Sequence, residues 1–474
     1  MCLPYRPCQW AIACWCVLSV SLLVPRPAAG QGGAVAFTQQ RPFVIGFIPV
    51  VGPNGGVGGV SIDAQGVVSR SNVDQLGLLR DARLKAQLPP SREMPQASTL
   101  RKVSLKGLSA ELDRLRKTGK PITDDLQNLA GLTRVEYVLV YPDQRDIVLA
   151  GPAEAWRIDE QATAVGKTSG QPVLQLDDLL VALRAAMQQR ASGGAITCSI
   201  EPTKEGLTRY TRALASHSGQ PDEATVARLE AAMGPQQVLI SGVAPGTHFA
   251  RVLVAADFVM KRLGMNFEPA PVEGLPSYLE MLQDPAVPAP KNAMPRWWMA
   301  AHYEPLLKDE DGLAWQLQGA GVQTLAEDGV QGNKGRVIAV RHSDGSLSKK
   351  WADLMTAKYA GLAAKLPIFA ELRNCMDLAV VAALLVKEDL PARSGCDLGL
   401  LLDGKQLPVA EQHAPRTIDS RASLVRKGRQ TIISVSGGVE VDPWAVLERT
   451  QVESALAATR TTSASAKPDR WWWD

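Results

Sequence analysis

Apolar positions along this chain recur with two periods, and the switches between them mark out the elements. Phe43–Val51 (FVIGFIPVV) is a continuous apolar run and predicts a buried strand; Gly52–Gly59 predicts a loop and Val60–Val68 a hairpin. Arg80–Leu100 is rich in Pro, Ser and Arg and predicts irregular structure. Leu105–Leu115 and Ile122–Leu129 carry helical spacing, while Val135–Tyr141 and Asp146–Ala150 read as strands joined at Pro142-Asp143-Gln144. Leu176–Met187 has one apolar helix face, with Asp177 and Asp178 in the first turn, where acids suit the helix dipole. Strands at Ala195–Ile200 and Gln236–Val243 bracket helices at Lys204–Ala215 and Pro221–Met233. A helix from about Thr247 to Leu263 turns Phe249, Val252, Leu253 and Met260 inward. It leaves Asp257 and Lys261 as an i,i+4 pair on its outer side, worth a few tenths of a kcal/mol when exposed.

After the proline-rich stretch Pro285–Pro295 the pattern changes. Arg296–Tyr303, Leu313–Leu317, Val322–Leu325 and Arg336–Arg341 predict short strands in an antiparallel meander, followed by helices at Ser348–Lys365 and Phe369–Lys387. Leu378–Val386 is apolar all round, which predicts a helix buried on every side. A last strand at Thr431–Val435 leads to Gly437-Gly438, and the Ala/Thr/Ser-rich tail from Thr450 predicts disorder as far as Trp471-Trp472-Trp473-Asp474. The alternation from Val135 to Leu263 points to a layered βα core, so the fold class is mixed, α/β or α+β, with an antiparallel meander and C-terminal helices. The regions read as a leader at 1–30, an N-terminal α/β region at 37–160, a central βα region at 161–290, meander plus helices at 291–450 and a tail at 451–474.

The leader changes the picture of location. Trp10–Val24 is an uncharged run of fifteen residues, apolar apart from Ser19 and Ser21, followed by Pro25-Arg26-Pro27-Ala28-Ala29-Gly30. A short apolar core before small residues at Ala28 and Gly30 is the layout of a secretory signal peptide, too short for a membrane span of roughly 20 residues. The expectation is a secreted, periplasmic or cell-envelope protein with no membrane span once the leader is removed.

Composition excludes more than it identifies. The 474 residues are 46% hydrophobic and 21% charged with a net charge of +3, enough for a large core and no signature of a nucleic-acid partner. Between Arg80 and Lys120 eleven Lys/Arg face four acids, which reads as a solvated helix face or as a binding segment for an anionic envelope polymer. Four of the seven cysteines lie in the leader; Cys198, Cys375 and Cys396 remain and allow at most one internal bridge. Cys375 sits in an apolar helix pattern and reads as a small buried hydrophobe.

Candidate motifs fail on chemistry. Gly166-Lys167-Thr168-Ser169 lacks the glycine that a phosphate loop needs at 161, where Gln stands. Gly52–Gly59 precedes a strand pattern, so no helix N-terminus meets a pyrophosphate. Asp309-Glu310-Asp311-Gly312 has Leu307 and Gln318 where a calcium loop needs its first and last ligands, and reads as a turn. His217, His248, His302, His342 and His413 are scattered singly, so no metal site is predicted, nor any cofactor or catalytic motif. Ser241, His248 and Asp257 make no triad: His248 and Asp257 are roughly 13 Å apart along one helix. The densest aromatic-basic cluster is Arg296-Trp297-Trp298 with Tyr303. On a strand the two tryptophans face opposite sides: either both fill the sheet's two buried faces, or one is core and the other is available to a ligand or carbohydrate surface.

The stretches that carry a resemblance are Leu126–Trp156, Gln171–Arg184, Cys198–Leu207, Phe249–Leu282, Arg296–Glu327, Phe369–Leu385 and Ser434–Val439, and Phe249–Leu282 holds the specific pattern Ala-Asp-x-x-Met-Lys-Arg followed by Leu-Pro-Ser-Tyr-Leu. In these the chain resembles a family of exported bacterial proteins, mostly from planctomycetes, catalogued as a domain of unknown function. The resemblance implies export and one shared architecture and carries over no activity, cofactor or catalytic residue. The functional expectation is a non-enzymatic binding or structural component of the cell envelope, with an envelope protein or polysaccharide as partner. A secreted hydrolase of unrecognised type is the alternative. In either case the candidate residues are Arg251, Asp257, Lys261, Arg296, Trp297, Trp298, Tyr303, Arg373, Asn374 and Asp377.

Overall fold

Two seven-stranded sheets organise the computed structural model. It describes residues 60–62, 68–70 and 96–474, apart from 160–162, 191–192, 289–293, 333–335, 342–345, 428 and 465–469. The leader, the Phe43–Val51 run, the Gly52–Gly59 loop and most of the basic stretch before Gln96 lie outside the described residues. Within them the fold is mixed α/β with largely antiparallel sheets and helices late in the chain.

The first sheet runs in the order 450–452, 306–308, 314–316, 137–141, 146–153, 98–104, 472–473. The second runs 336–341, 321–332, 296–302, 436–441, 196–201, 236–241, 417–418. Each contains one parallel pair, Arg296–His302 beside Ser436–Val441 and Leu306–Lys308 beside Thr450–Val452. Both sheets draw strands from either side of residue 290, so the expected regions interleave. The expected meander divides in the same way: Arg296–His302, Gly321–Gly332 and Arg336–Arg341 are antiparallel neighbours, but Ala314–Gln316 leaves to pair with Tyr137–Tyr141. Asp309 makes that departure a tight turn, its Oδ1 accepting from the Leu313 and Ala314 amides at 2.6 and 3.0 Å.

Helix Pro367–Lys387 is the centre of the core. Leu378–Val386 is buried on every side, and the helix packs against Leu176–Gln189 and His248–Gly264. Helix His248–Gly264 starts where Thr247 Oγ1 accepts from the Ala250 amide at 3.2 Å. It covers the inner face of the second sheet, and this overturns the expected outer pair: Asp257 is 0% and Lys261 9% exposed. The helix expected over Ser348–Lys365 is two, Leu347–Ala357 and Tyr359–Lys365, divided at Lys358.

The described residues of the tail form regular structure where the sequence predicts disorder. Ala455–Ser463 is a helix, and Trp472–Trp473 pairs with Lys102 and Val103 to extend the first sheet. Arg101, 0% exposed, fixes this strap with a two-pronged ion pair to Asp474, Nε to Oδ1 at 2.8 Å and Nη2 to Oδ2 at 3.0 Å. The sequence pattern missed it because the partner strand lies about 370 residues upstream. Strand Ser436–Val441 threads between two others through Gly437, at φ +133°, where a Cβ would overlap the Trp297 carbonyl oxygen. Cys198, Cys375 and Cys396 are all buried and free.

Candidate functional site

The second sheet has two unlike faces. Burial alternates along Arg296–His302, Ile196–Glu201 and Gln236–Ser241, the signature of a sheet with a packed side and a solvated side. Trp297 points inward and is 0% exposed; its Nε1 donates to Ser348 Oγ at 2.9 Å, and its ring lies 4.1 Å from Trp351 and 5.4 Å from Tyr278. Trp298 points outward and is half-buried. Strand alternation therefore assigns the two tryptophans as the sequence predicts.

Cross-strand register builds the outer face. Leu325, Trp298, Gly438, Ser199 and Leu239 form one row across five strands, with Leu239 56% exposed. Gln323, Ala300, Glu440, Thr197 and Ser241 form the row beside it. Gly438 contributes no side chain to the row, and a Cβ there would overlap the Cys198 carbonyl oxygen, so the two strands approach closely beside Trp298. Arg296 sits over that ring at 5.4 Å and its Nη2 donates to Glu201 at 2.6 Å, while Glu327 lies 3.8 Å from its Nε. Burial raises the Glu201 carboxyl pKa, against the opposing pull of Arg296 and Lys261. The result is an aromatic surface edged by a guanidinium, carboxylates and hydroxyls.

The other sequence candidates do not join this face or each other around one pocket. Asp257 and Lys261 form a buried pair at 2.6 Å on the far side of the same sheet, Lys261 Nζ also lying 3.5 Å from the Gly437 carbonyl. Desolvation raises the Asp257 pKa against the charge of Lys261. Tyr303 and Asp377 do come together: the Tyr303 hydroxyl donates to Asp377 Oδ1 at 2.6 Å, and burial beside that carboxylate drives its pKa well above 10.0. The partner of Asp377 is not Arg373, as an i,i+4 helix pair implies, but Arg134, whose Nε donates to Oδ2 at 2.9 Å. Arg373 instead donates to Gln171 Oε1 at 3.4 Å.

Arg251 and Asn374 belong to a third locality. Arg251 Nη1 donates to Gln412 Oε1 at 3.2 Å, and the charge of Glu371 bears on it; burial lowers its pKa. Asn374 lines a small cavity with Asp178, His248, Glu371, Gln175 and Thr163. Here His248 meets an acid after all, Asp178 rather than Asp257, Nδ1 to Oδ2 at 2.9 Å. Burial alone lowers a histidine pKa, but the Asp178 and Glu371 charges outweigh it and the His248 value is raised. Asp178 and Glu371 escaped sequence reasoning; the only signal was an acid on an otherwise apolar helix, which Asp178 shares with many helix first turns.

The phosphate-loop lookalike and the basic segment both find partners within the chain. The Thr168 and Ser169 amides, which a phosphate loop would turn to a ligand, bind the Glu154 carboxylate at 2.6 and 3.1 Å. The basic helix Leu105–Thr118 pairs its own charges: Arg114 with Glu111, and Arg116 and Lys117 with Asp113. Among the described residues no group of three or more His, Cys, Asp and Glu is placed to hold a metal ion, and no helix is long and apolar enough to cross a membrane.

A family model described as a protein of unknown function (DUF1598) matches residues 198–278, from the strand that carries Ser199 and Glu201 to the Tyr278 that packs on Trp297. No curated protein and no solved structure matches the chain.

Proposed function

We propose that this chain is a non-catalytic binding protein of the bacterial cell envelope, exported by the leader at 1–30, that holds a polysaccharide on the outer face of its second sheet. The observation that carries the reading is the outward Trp298 ring, under the Arg296 guanidinium that Glu201 binds and in the same cross-strand row as Ser199 and the exposed Leu239. A sugar ring presents an apolar C–H face, which stacks on an indole, and an edge of hydroxyls, which pair with carboxylates and guanidinium. The hydrolase alternative asks its charged residues to converge; instead Asp257 is closed by Lys261 and Asp377 by Arg134 and Tyr303. The anionic-polymer alternative asks for free cations, and the described part of the basic segment neutralises Arg114, Arg116 and Lys117 internally.

The test is a glycan array of bacterial envelope polysaccharides probed with the purified chain and with Trp298→Ala. Binding to a defined set of glycans, lost in Trp298→Ala and retained in His302→Ala at the exposed end of the same strand, supports the reading. Equal binding by wild type and Trp298→Ala, or none by the folded wild type, refutes it.

A further inference from the structure

A cleft of ≈ 440 Å³ lies between the hairpin Ala422–Lys427 with Arg429–Ser434 and two helices. One wall is helix Glu223–Met233, which lines it with Glu223, Val226, Ala227 and Glu230, the i, i+3, i+4 and i+7 positions of a single helix face. The opposite wall is Leu279 and Gln283 of helix Tyr278–Gln283, with Met265 and Phe267 from the turn after helix His248–Gly264. Phe267 is 37% exposed there. The third side is the hairpin itself, and four successive residues, Ala422 to Val425, border the cleft. A strand face shows only every second residue, so successive residues mark the edge of a strand rather than its face.

That edge has backbone groups to offer. Strand Ala422–Lys427 pairs on one side with Arg429–Ser434, and among the described residues no strand pairs with its other side. The Ala422 amide turns away from the hairpin and donates to Glu230 Oε1 at 2.9 Å. Alternation along an antiparallel strand points the amide and carbonyl of Leu424 the same way, into the cleft. A donor and an acceptor at strand spacing, facing an apolar wall, call for an occupant with the same repeat of amides and carbonyls, which a sugar ring or an acyl chain lacks. We propose that this cleft binds an extended polypeptide segment, which adds as a further strand to the free edge of Ala422–Lys427.

The walls set what that segment carries. Every second side chain of an added strand faces Val226, Met265, Phe267 and Leu279, so those positions are apolar. The charged residues lining the cleft are Glu223 and Glu230, both acids. Glu230 is held by the Ala422 amide, with Arg421 Nη1 3.8 Å from its Oε2. Glu223 is exposed and opposes no cation in the lining. The segment therefore carries a Lys or Arg where it passes Glu223.

The experiment is selection of a phage-displayed library of random decapeptides on the purified full chain, followed by fluorescence polarisation with the enriched peptides as synthetic probes. The enriched sequences alternate apolar residues and include a Lys or Arg. Leu424→Pro deletes the outward amide without breaking a hairpin hydrogen bond, at an edge position where proline is accepted, and weakens binding on the order of tenfold. Leu424→Val keeps the amide and binds as the wild type does. Glu223→Lys, at an exposed helix position that leaves the fold intact, weakens binding by about tenfold as well. Thermal unfolding establishes that each variant is folded. No enrichment on the folded wild type, an acidic consensus, or undiminished binding by a folded Leu424→Pro or by Glu223→Lys overturns the proposal. So does a wild-type dimer in analytical ultracentrifugation that Leu424→Pro returns to monomer, which assigns the edge to a second copy of the chain.

Discussion

Removing the Asp474 side chain tests how firmly the C-terminal strap is held. The Arg101 side chain is 0% exposed, and among the described residues Asp474 is the carboxylate it pairs with, bound by two charged hydrogen bonds. Breaking a fully buried pair costs about 3–5 kcal/mol because a charge is left uncompensated. Two facts reduce that figure here. Arg101 keeps hydrogen bonds to the Ala130 and Gln96 carbonyls and lies 4.9 Å over the Trp472 ring, and Asp474 is itself 39% exposed, so water reaches the vacated side. Asp474→Ala should therefore cost about 1–2 kcal/mol, mostly as local opening of the strap. The direct reporter is the Ser104 amide, which donates to the Trp471 carbonyl at 2.9 Å. Its hydrogen exchange should accelerate roughly 5–30-fold, while amides in helix Pro367–Lys387 stay unchanged. Burial raises the Asp474 pKa, but the Arg101 hydrogen bonds and charge outweigh it, and the value falls below 3.8. A depressed carboxyl pKa stabilises above the unfolded value, so the strap holds at neutral pH and loosens as the pH drops through the folded value. Unaltered Ser104 exchange in Asp474→Ala would refute the account of Arg101 as a buried anchor.

Four further outcomes follow from the same geometry. Trp297→Ala should cost about 3–5 kcal/mol in urea unfolding, whereas Trp298→Ala should cost less than half as much; equal losses contradict the assignment of faces. Gly437→Ala should fail to give soluble protein, because a Cβ meets the Trp297 carbonyl at a φ that side chains disfavour. Lys261→Met should destabilise by about 3–5 kcal/mol by stranding the buried Asp257, and Asp257→Leu added to it should restore most of the loss; a double mutant no better than the single one rejects the pairing. The raised His248 pKa makes its contribution complete below the unfolded 6.5 and lost as the pH rises through the folded value, so His248→Gln should flatten the stability–pH profile on that side, read by thermal unfolding.

What the sequence discloses here is whatever a neighbour in the chain determines. Helix Lys204–Ala215 emerges with its predicted limits because Thr203 caps it and its apolar period is local. Trp297 and Trp298 part to opposite faces because alternation is a property of any strand. The all-apolar run Leu378–Val386 is buried on every side because no orientation of it exposes a polar face. Pairing across the chain leaves no such trace. The pattern predicts one strand, Thr431–Val435, where the structure has the hairpin Ala422–Lys427 with Arg429–Ser434 and then the strand Ser436–Val441, whose start is a register decision made by partners at 196–201 and 296–302.

The same limit governs the charged residues, and it bears on function. An acid in the first turn of a helix and an i,i+4 pair both read as surface chemistry, because most helices place them there. Asp178 and Asp257 are buried instead, and their company is set by separations that no spacing rule reaches: 70 residues from Asp178 to His248, 243 from Arg134 to Asp377. Each buried pair joins two elements distant in sequence, or, for Lys261, a helix to the Gly437 carbonyl of the sheet beneath it. Replacing one partner is costly, while replacing both by apolar groups is often neutral, so such pairs contribute specificity of packing more than stability. Their closure assigns them to holding the two layers in register. Under the proposed function, that leaves the outer face of the second sheet, with half-buried Trp298 beside Arg296, as the surface for a partner.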